Sequence, residues 1–267
     1  MNEEFNDYTD EFTADNVKTA IENNFETLIE DKIPAKHPRI VIFMGGLPGA
    51  GKTSAIKDKE GEYNSIVVVD VDRYRRYHPK ANEILEIGKM PEVRAADRGY
   101  FANKTNKFAR RVSRGLIKRL REAGYNVIID GTLRNPRYAI RMARIFKKKG
   151  YASASVEIIG TDKHTALQGT KVRFAEDTEG REAEKATGKE LTIFPREVGI
   201  GFLNSVVKTL PESISALHKS GEFERIRIVD RKNVVHYDSA KTPNLDPREI
   251  LQKLLERRKK YGVLRFR

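Results

Sequence analysis

Residues 40–56 run I-V-I-F-M-G-G-L-P-G-A-G-K-T-S-A-I, and no other stretch constrains the fold as strongly. From Gly46 the run matches G-x-x-x-x-G-K-[ST] as Gly46, Gly51, Lys52 and Thr53, directly after an apolar strand pattern and at the opening of a helical one. Glycines let consecutive backbone N–H groups turn inward into an anion-binding concavity, and the helix N-terminus adds its positive dipole end. The motif therefore sets nucleotide phosphates against Gly46, Leu47, Pro48, Gly49, Ala50, Gly51, Lys52, Thr53 and Ser54. Lys52 would reach the β- and γ-phosphates, and the Thr53 hydroxyl would ligate Mg²⁺. A glycine-rich turn arising by chance is the alternative, and the strand–loop–helix context argues against it. The motif implies ATP and Mg²⁺ as cofactors but leaves the reaction open.

The rest of the chain supplies the sheet such a loop requires. Apolar runs at Ile40–Met44, Ile66–Val69, Val127–Ile129, Ser155–Ile159 and Ile226–Val229 alternate with helical patterns. That alternation predicts a three-layer α/β fold, a mostly parallel sheet flanked by helices. Arg225–Asp230 and Asn233–Asp238 flank Arg231-Lys232 and read as an edge hairpin. With no repeat and no Pro- or Gly/Ser-rich linker, residues 1–267 read as a single P-loop domain. Residues 1–36 form an N-terminal helical element, with an amphipathic helix over Ala14–Ile33. Residues 245–267 hold a C-terminal helix, opened by an N-cap Asp246, Pro247 at N1 and Glu249 at N3 and running to Gly262. Glu176–Glu190 has no apolar residue larger than alanine, so it is expected to be a solvated loop, a lid or disordered, and 174–195 reads as a lid or insertion.

Two further strand patterns end in carboxylates, and strand carboxyl ends line the ligand crevice of an open α/β sheet. S-I-V-V-V-D-V-D-R-Y supplies Asp70 and Asp72; Y-N-V-I-I-D-G-T-L-R supplies Asp130, Thr132 and Arg134. A phosphotransferase needs a metal-linked acid and a base for the acceptor hydroxyl. An Asp after a strand can equally be a helix cap, and for Asp70 both roles stay open. For Asp72 and Asp130 the neighbouring phosphate loop favours function.

The combination of G-G-L-P-G-A-G-K-T, V-V-D-V-D-R-Y-R-R-Y-H-P and Y-N-V-I-I-D-G-T resembles the zeta toxins of toxin–antitoxin modules, P-loop kinases that phosphorylate UDP-N-acetylglucosamine. The likeness runs from the N-terminal helix through Tyr237 and includes V-V-K-T-L-P-E-S-I-S-A-L-H-K-S-G-E-F. It implies that Asp72, six residues before His78-Pro79, is the catalytic base, with Lys52 at the phosphates. It implies that Asp130, Thr132 and Arg134 hold the amino-sugar; here the family often has Glu in place of Asp130. Arg173 and Arg196 correspond to two arginines that clamp the transferring phosphate, with Arg181 a competitor inside a longer intervening segment. The implied partners are a UDP-sugar substrate and a small helical antitoxin, and the implied setting is the bacterial cytoplasm, where a cell-wall precursor would be diverted.

Charge leaves a second thread. The net charge is +13, with ten acidic against three basic residues in 1–37, which fits an anionic partner such as nucleic acid, a membrane surface or a phosphorylated small molecule. Lys104, Lys107, Arg111, Arg114, Lys118 and Arg121 recur at helical spacing on one face of 103–122, opposite Phe108, Val112, Leu116 and Leu120. That face is either solvated or a polyanion contact. Arg114 stands where relatives carry a substrate-contacting carboxylate. There is no cysteine, which excludes disulfides, thiolate metal sites and a cysteine nucleophile. The histidines lack zinc-site spacing and no G-x-S-x-G elbow occurs. No apolar run approaches a membrane span and no RNP-like pattern supports nucleic acid. The rivals are a P-loop kinase of another small-molecule or polynucleotide hydroxyl, and a nucleic-acid-binding ATPase.

Overall fold

A computed structural model describes residues 11–63 and 65–256. Helix α1 (Ala14–Ile29) is opened by a capping box in which Thr13 Oγ1 accepts from Asn16 N–H and Asn16 Oδ1 accepts from Thr13 N–H. It stops four residues short of the predicted Ile33. Strand β1 (Ile40–Gly46) leads through the glycine loop into α2 (Lys52–Glu62), and β2 (Ile66–Asp70) runs into a 3-10 helix over Val71–Tyr77. Helices α3 (Ala81–Lys89), α4 (Pro91–Ala96), α5 (Tyr100–Lys104) and α6 (Asn106–Glu122) follow, then β3 (Asn126–Asp130), α7 (Pro136–Lys148) and β4 (Ser153–Ile159). After α8 (Lys163–Ala186) and α9 (Ile200–Lys219) come β5 (Arg225–Val229), β6 (Val235–Asp238) and α10 (Arg248–Glu256). The predicted extension of the last helix to Gly262 and the acidic start of the chain fall partly outside the described residues.

The six strands are ordered β2-β3-β1-β4-β5-β6, parallel except for β6 at the edge. The chain leaves β1 for the far side of β3 and later returns to β1's other side at β4, so the topological switch lies at β1. Ligands of open α/β sheets bind at that point. Val41, Phe43 and Met44 are fully buried, as expected of a central parallel strand covered on both faces. The register sets Met44 beside Asp130 and Asp130 beside Asp70, which aligns the strand-end carboxylates along one edge.

Two expectations are corrected. The polar segment 176–190 is not a loop up to Ala186; it continues α8. Its Ala, Glu, Lys and Arg residues are good helix formers, and a helix satisfies its backbone internally without burying an apolar face. Two side chains tie it to the following segment: Arg181, 1% exposed, donates to the Ile193 carbonyl and Asn82 Oδ1 at 2.8 Å each and stacks on Phe194, and Glu184 accepts from the Thr192 and Ile193 N–H groups. Irregular chain begins only after Thr187 and continues to Gly199. The basic helix is also broken at Thr105, whose hydroxyl donates to the Phe101 carbonyl, into α5 and α6. Its cationic face is not simply solvated. Arg111 lies over Phe12 and Arg119 over Phe25, while Arg121 faces Phe146. Helix α1 thus packs on α6, with Ile21 against Gly115.

Candidate active site

The carboxyl edge of β1, β2 and β3 opens into a cleft of about 1120 Å³. Pro48, Gly49, Ala50, Gly51, Lys52 and Thr53 form its floor. Leu47 is fully buried, and neither it nor Gly46 and Ser54 lines the cleft surface. The loop is braced from behind: Ala50 N–H donates to the Leu47 carbonyl, and Thr161 Oγ1 donates to the Ala50 carbonyl at 3.1 Å. Gly46, Gly49 and Gly51 all have positive φ, and a Cβ on Gly49 would lie 2.2 Å from the Ala166 carbonyl oxygen of α8. Glycine is therefore required at Gly49 both by conformation and by the approach of α8.

Asp72 stands on the first turn of the 3-10 helix. Asp70 Oδ1 accepts from Asp72 N–H at 2.9 Å, which assigns Asp70 as the cap that aims Asp72. Arg75 Nε donates to Asp72 Oδ1 at 2.8 Å, and Arg196 Nη1 is paired with Asp72 Oδ2. Arg75 is itself buried and fixed by the Ala102 carbonyl and Thr105 Oγ1. Burial by itself would raise the Asp72 carboxyl, but the Arg196 and Arg75 guanidiniums hold it far below the usual carboxylate range. Burial would lower Arg196; Asp72 more than compensates, and its affinity for its proton rises.

Asp130 behaves in the opposite way. Burial pushes its carboxyl up to about 6, and Asp70 and Asp72 repel the charge that Lys52 attracts. Lys52 Nζ stands 3.9 Å from Asp130 Oδ1, beyond hydrogen-bond reach, and that oxygen is buried without a hydrogen-bond partner. The neighbouring loop holds Leu133 at φ +53°, where a residue with a branched side chain is strained. Ser213 Oγ donates to the Leu133 carbonyl, which fixes the turn bearing Thr132 and Arg134. Arg134 lies over Phe202, and its Nη1 is 3.3 Å from Ser205 Oγ.

Arg173, on α8, lines the same cleft with a buried Nε that has no hydrogen-bond partner. Burial and the nearby Arg196 lower its affinity for its proton, against the pull of Asp72 and Asp177. Lys52, Asp72, Asp130, Arg173 and Arg196 thus meet in one cleft, whereas Arg181 is not among its lining residues. His78 is buried against Phe12 and Phe108, and its Nδ1 accepts from Lys80 N–H, a packing role. Two contributors were not singled out in the sequence. Arg75 is three residues after Asp72, a spacing that a helical turn brings together. Arg231, from the β5–β6 turn, comes so close to the phosphate loop that a Cβ on Gly51 would lie 3.1 Å from its Nε; nothing in local sequence signals that contact.

No group of three or more His, Cys, Asp or Glu side chains capable of holding a metal occurs among the described residues. No helix among them is long and apolar enough to cross a membrane.

Comparison with known proteins agrees with this geometry. The family model described as Zeta toxin matches residues 24–242. The toxin PezT of Streptococcus pneumoniae is 31% identical over 256 residues, 94% of this chain and 90% of that protein. A toxin zeta of Streptococcus pyogenes is 29% identical over 251 residues, 92% of this chain and 79% of that protein. Among solved structures, a chain from the characterisation of the PezAT chromosomal toxin–antitoxin system of S. pneumoniae superposes with a TM-score of 0.72 at 25% identity. The match covers 95% of this chain and 92% of that one. With its strand order, its phosphate loop and its carboxylate-lined cleft, this chain belongs to the zeta toxin family and has the P-loop kinase fold.

Proposed function

We propose that the protein transfers the γ-phosphate of ATP to a sugar hydroxyl of UDP-N-acetylglucosamine or a related UDP-sugar. The observation that carries this is the placement of Asp72: ionised, fixed by Arg75, and in the same cleft as the phosphate loop and Lys52. In that position Asp72 accepts the hydroxyl proton. Phosphoryl transfer through a loose transition state releases that proton late, so a carboxylate of low basicity suffices, and position outweighs pKa. Lys52 and the loop amides bind the β- and γ-phosphates. Arg173 and Arg196 stabilise the charge on the equatorial oxygens. Arg196 is paired with Asp72, so for Asp72 to take the hydroxyl proton Arg196 would turn from it to the transferring phosphate. Asp130, Thr132 and Arg134 orient the acceptor sugar.

The Thr53 hydroxyl, at the start of α2 and on the lining of the cleft, is the donor that would hold a Mg²⁺ ion together with the phosphates. When bound with ATP it would neutralise developing charge between the β- and γ-phosphates. The cleft volume lies above the usual range for one small ligand, in keeping with two substrates bound together. A nucleic-acid-binding ATPase is less well supported, because two arginines of the basic face, Arg111 and Arg121, lie against aromatic rings. Since the S. pneumoniae relative comes from a toxin–antitoxin system, the protein partner proposed here is a cognate antitoxin, acting in the bacterial cytoplasm.

The test is mass spectrometry after incubation with ATP–Mg²⁺ and either UDP-N-acetylglucosamine or an oligonucleotide. The sugar nucleotide should gain one phosphate, and Asp72→Ala should abolish the gain. An unmodified sugar nucleotide, with wild type and Asp72→Ala consuming ATP equally, would overturn the proposal.

A further inference from the structure

Most cations of the cleft have a partner. Arg75 and Arg196 hold Asp72, Arg98 pairs with Glu197, and Arg134 sits on Phe202 and Ser205. Two differ. Arg110 and Arg114 lie one turn apart on α6, both exposed and both lining the cleft. Residues at this spacing present their side chains side by side on a helix. Neither makes a hydrogen bond or ion pair within the described residues.

Among the described residues, none of the carboxylates of the cleft pairs with Arg110 or Arg114. Asp72 and Glu197 are in ion pairs, and Asp70 caps the 3-10 helix. Asp97 accepts from Gly99 N–H and Asn103 Nδ2, and Asp130 faces Lys52. Two guanidinium groups side by side on a cleft wall, without a counter-charge, lack the anion that such a pair recognises best, a phosphate. Tyr138, half-buried beside them and kept protonated by burial, adds a hydroxyl donor on the same wall. The wall belongs to α6 and α7, not to the phosphate loop, so the anion belongs to the acceptor and not to the nucleotide donor.

We propose that Arg110 and Arg114 form a phosphate-binding subsite for the acceptor and are specificity-determining residues. They select acceptors that carry a phosphate ester or diphosphate over neutral sugars. The inference rests on the kinase assignment of the cleft, but it concerns binding and can be tested without turnover.

The experiment is calorimetric titration of the full chain saturated with Mg²⁺ and a non-hydrolysable ATP analogue, so that the nucleotide site is filled. Two matched probe pairs are used: UDP against uridine, and N-acetylglucosamine-1-phosphate against N-acetylglucosamine. In the wild type, loss of the phosphate should weaken binding at least about tenfold, as expected for charge-assisted contacts. In Arg110→Ala/Arg114→Ala that dependence should shrink to about twofold or less. Affinity for the ATP analogue and the thermal midpoint should be unchanged, and Arg110→Lys/Arg114→Lys should recover part of the phosphate dependence. The inference is overturned if the wild type shows no phosphate preference in either pair, or if the preference survives in the double alanine variant. Phosphate dependence that follows the arginines, without transfer to any UDP-sugar, would sink the proposed reaction and leave this subsite standing.

Discussion

Gly169→Ala tests whether the docking of α8 on the phosphate loop shapes the site. Gly169 lies four residues before Arg173 in the same helix, and a Cβ there would stand 2.5 Å from the Gly49 carbonyl oxygen. Bringing that contact to even 3.0 Å requires a movement of about 0.5 Å. Both partners are backbone, so no rotamer change can supply it; either α8 or the loop must shift as a unit. Two terms oppose each other in stability. Overpacking costs about 1–3 kcal/mol, while alanine in a helix interior returns about 1 kcal/mol relative to glycine. The net loss is therefore modest, about 0–2 kcal/mol. Activity should respond far more, because misplacement of positioning groups by an ångström or less can cost about a hundredfold in rate. Gly61→Ala, in α2, is the control. A Cβ there meets nothing within 4 Å, so it should stabilise by about 0.5–1 kcal/mol with turnover unchanged. Urea unfolding, ATP-analogue binding and ATP turnover measured side by side decide the matter. If Gly169→Ala matches Gly61→Ala in all three, the close packing of α8 on Gly49 does not set the site.

Other predictions follow from the charges and their supports. Asp130 has a raised folded-state pKa, so its ionisation destabilises the fold as pH rises through the interval from 3.8 to about 6, and the penalty persists above it. Asp130→Asn should then raise stability at pH 7.5 by up to about 3 kcal/mol and change it little at pH 4, a contrast that thermal unfolding at the two pH values reads directly. Asp72 has the reverse sign: its contribution is present above pH 3.8 and is lost on acidification below it. Asp72→Asn should cut transfer by about 10²–10⁴-fold with nucleotide affinity changed only a few-fold, and normal transfer would eliminate Asp72 as the base. Arg196→Ala should lower turnover by about 10³-fold or more with near-normal ATP binding; a large loss of affinity with normal saturated turnover would place Arg196 in nucleotide binding instead. Arg181→Ala removes one of the two side-chain ties between α8 and Ile193, leaving that of Glu184, and hydrogen exchange over 187–199 should accelerate while β1 stays protected.

Sequence reasoning worked best where chemistry is local. The phosphate loop is contiguous, and its glycines, lysine and threonine each answer a backbone or side-chain demand that can be read in place. The strands were visible because central parallel strands are apolar throughout, and the edge hairpin because its turn residues interrupt the pattern. The failures share a cause. Segment 176–190 lacked large apolar residues and suggested a loop, yet a helix of good formers is held here by polar anchors distant in sequence: Arg181 reaches Asn82, 99 residues away, and Lys185 reaches Glu86. The basic face of 103–122 left solvation open because the rings beside Arg111 and Arg121 come from elsewhere in the chain, Phe12 just before α1 and Phe146 of α7.

By itself, then, the sequence determined the α/β class, the phosphate loop and the strand-end carboxylates, since these depend on periodicity, backbone freedom and residue chemistry within a few positions. Only the tertiary structure decided how the charges are matched. It paired Asp72 with Arg75 and Arg196, left Asp130 with a distant Lys52 and a raised pKa, and set Arg110 and Arg114 on the cleft wall without a counter-ion. Electrostatic free energy depends on separation and burial in three dimensions, and neither is encoded in the spacing of residues along a chain.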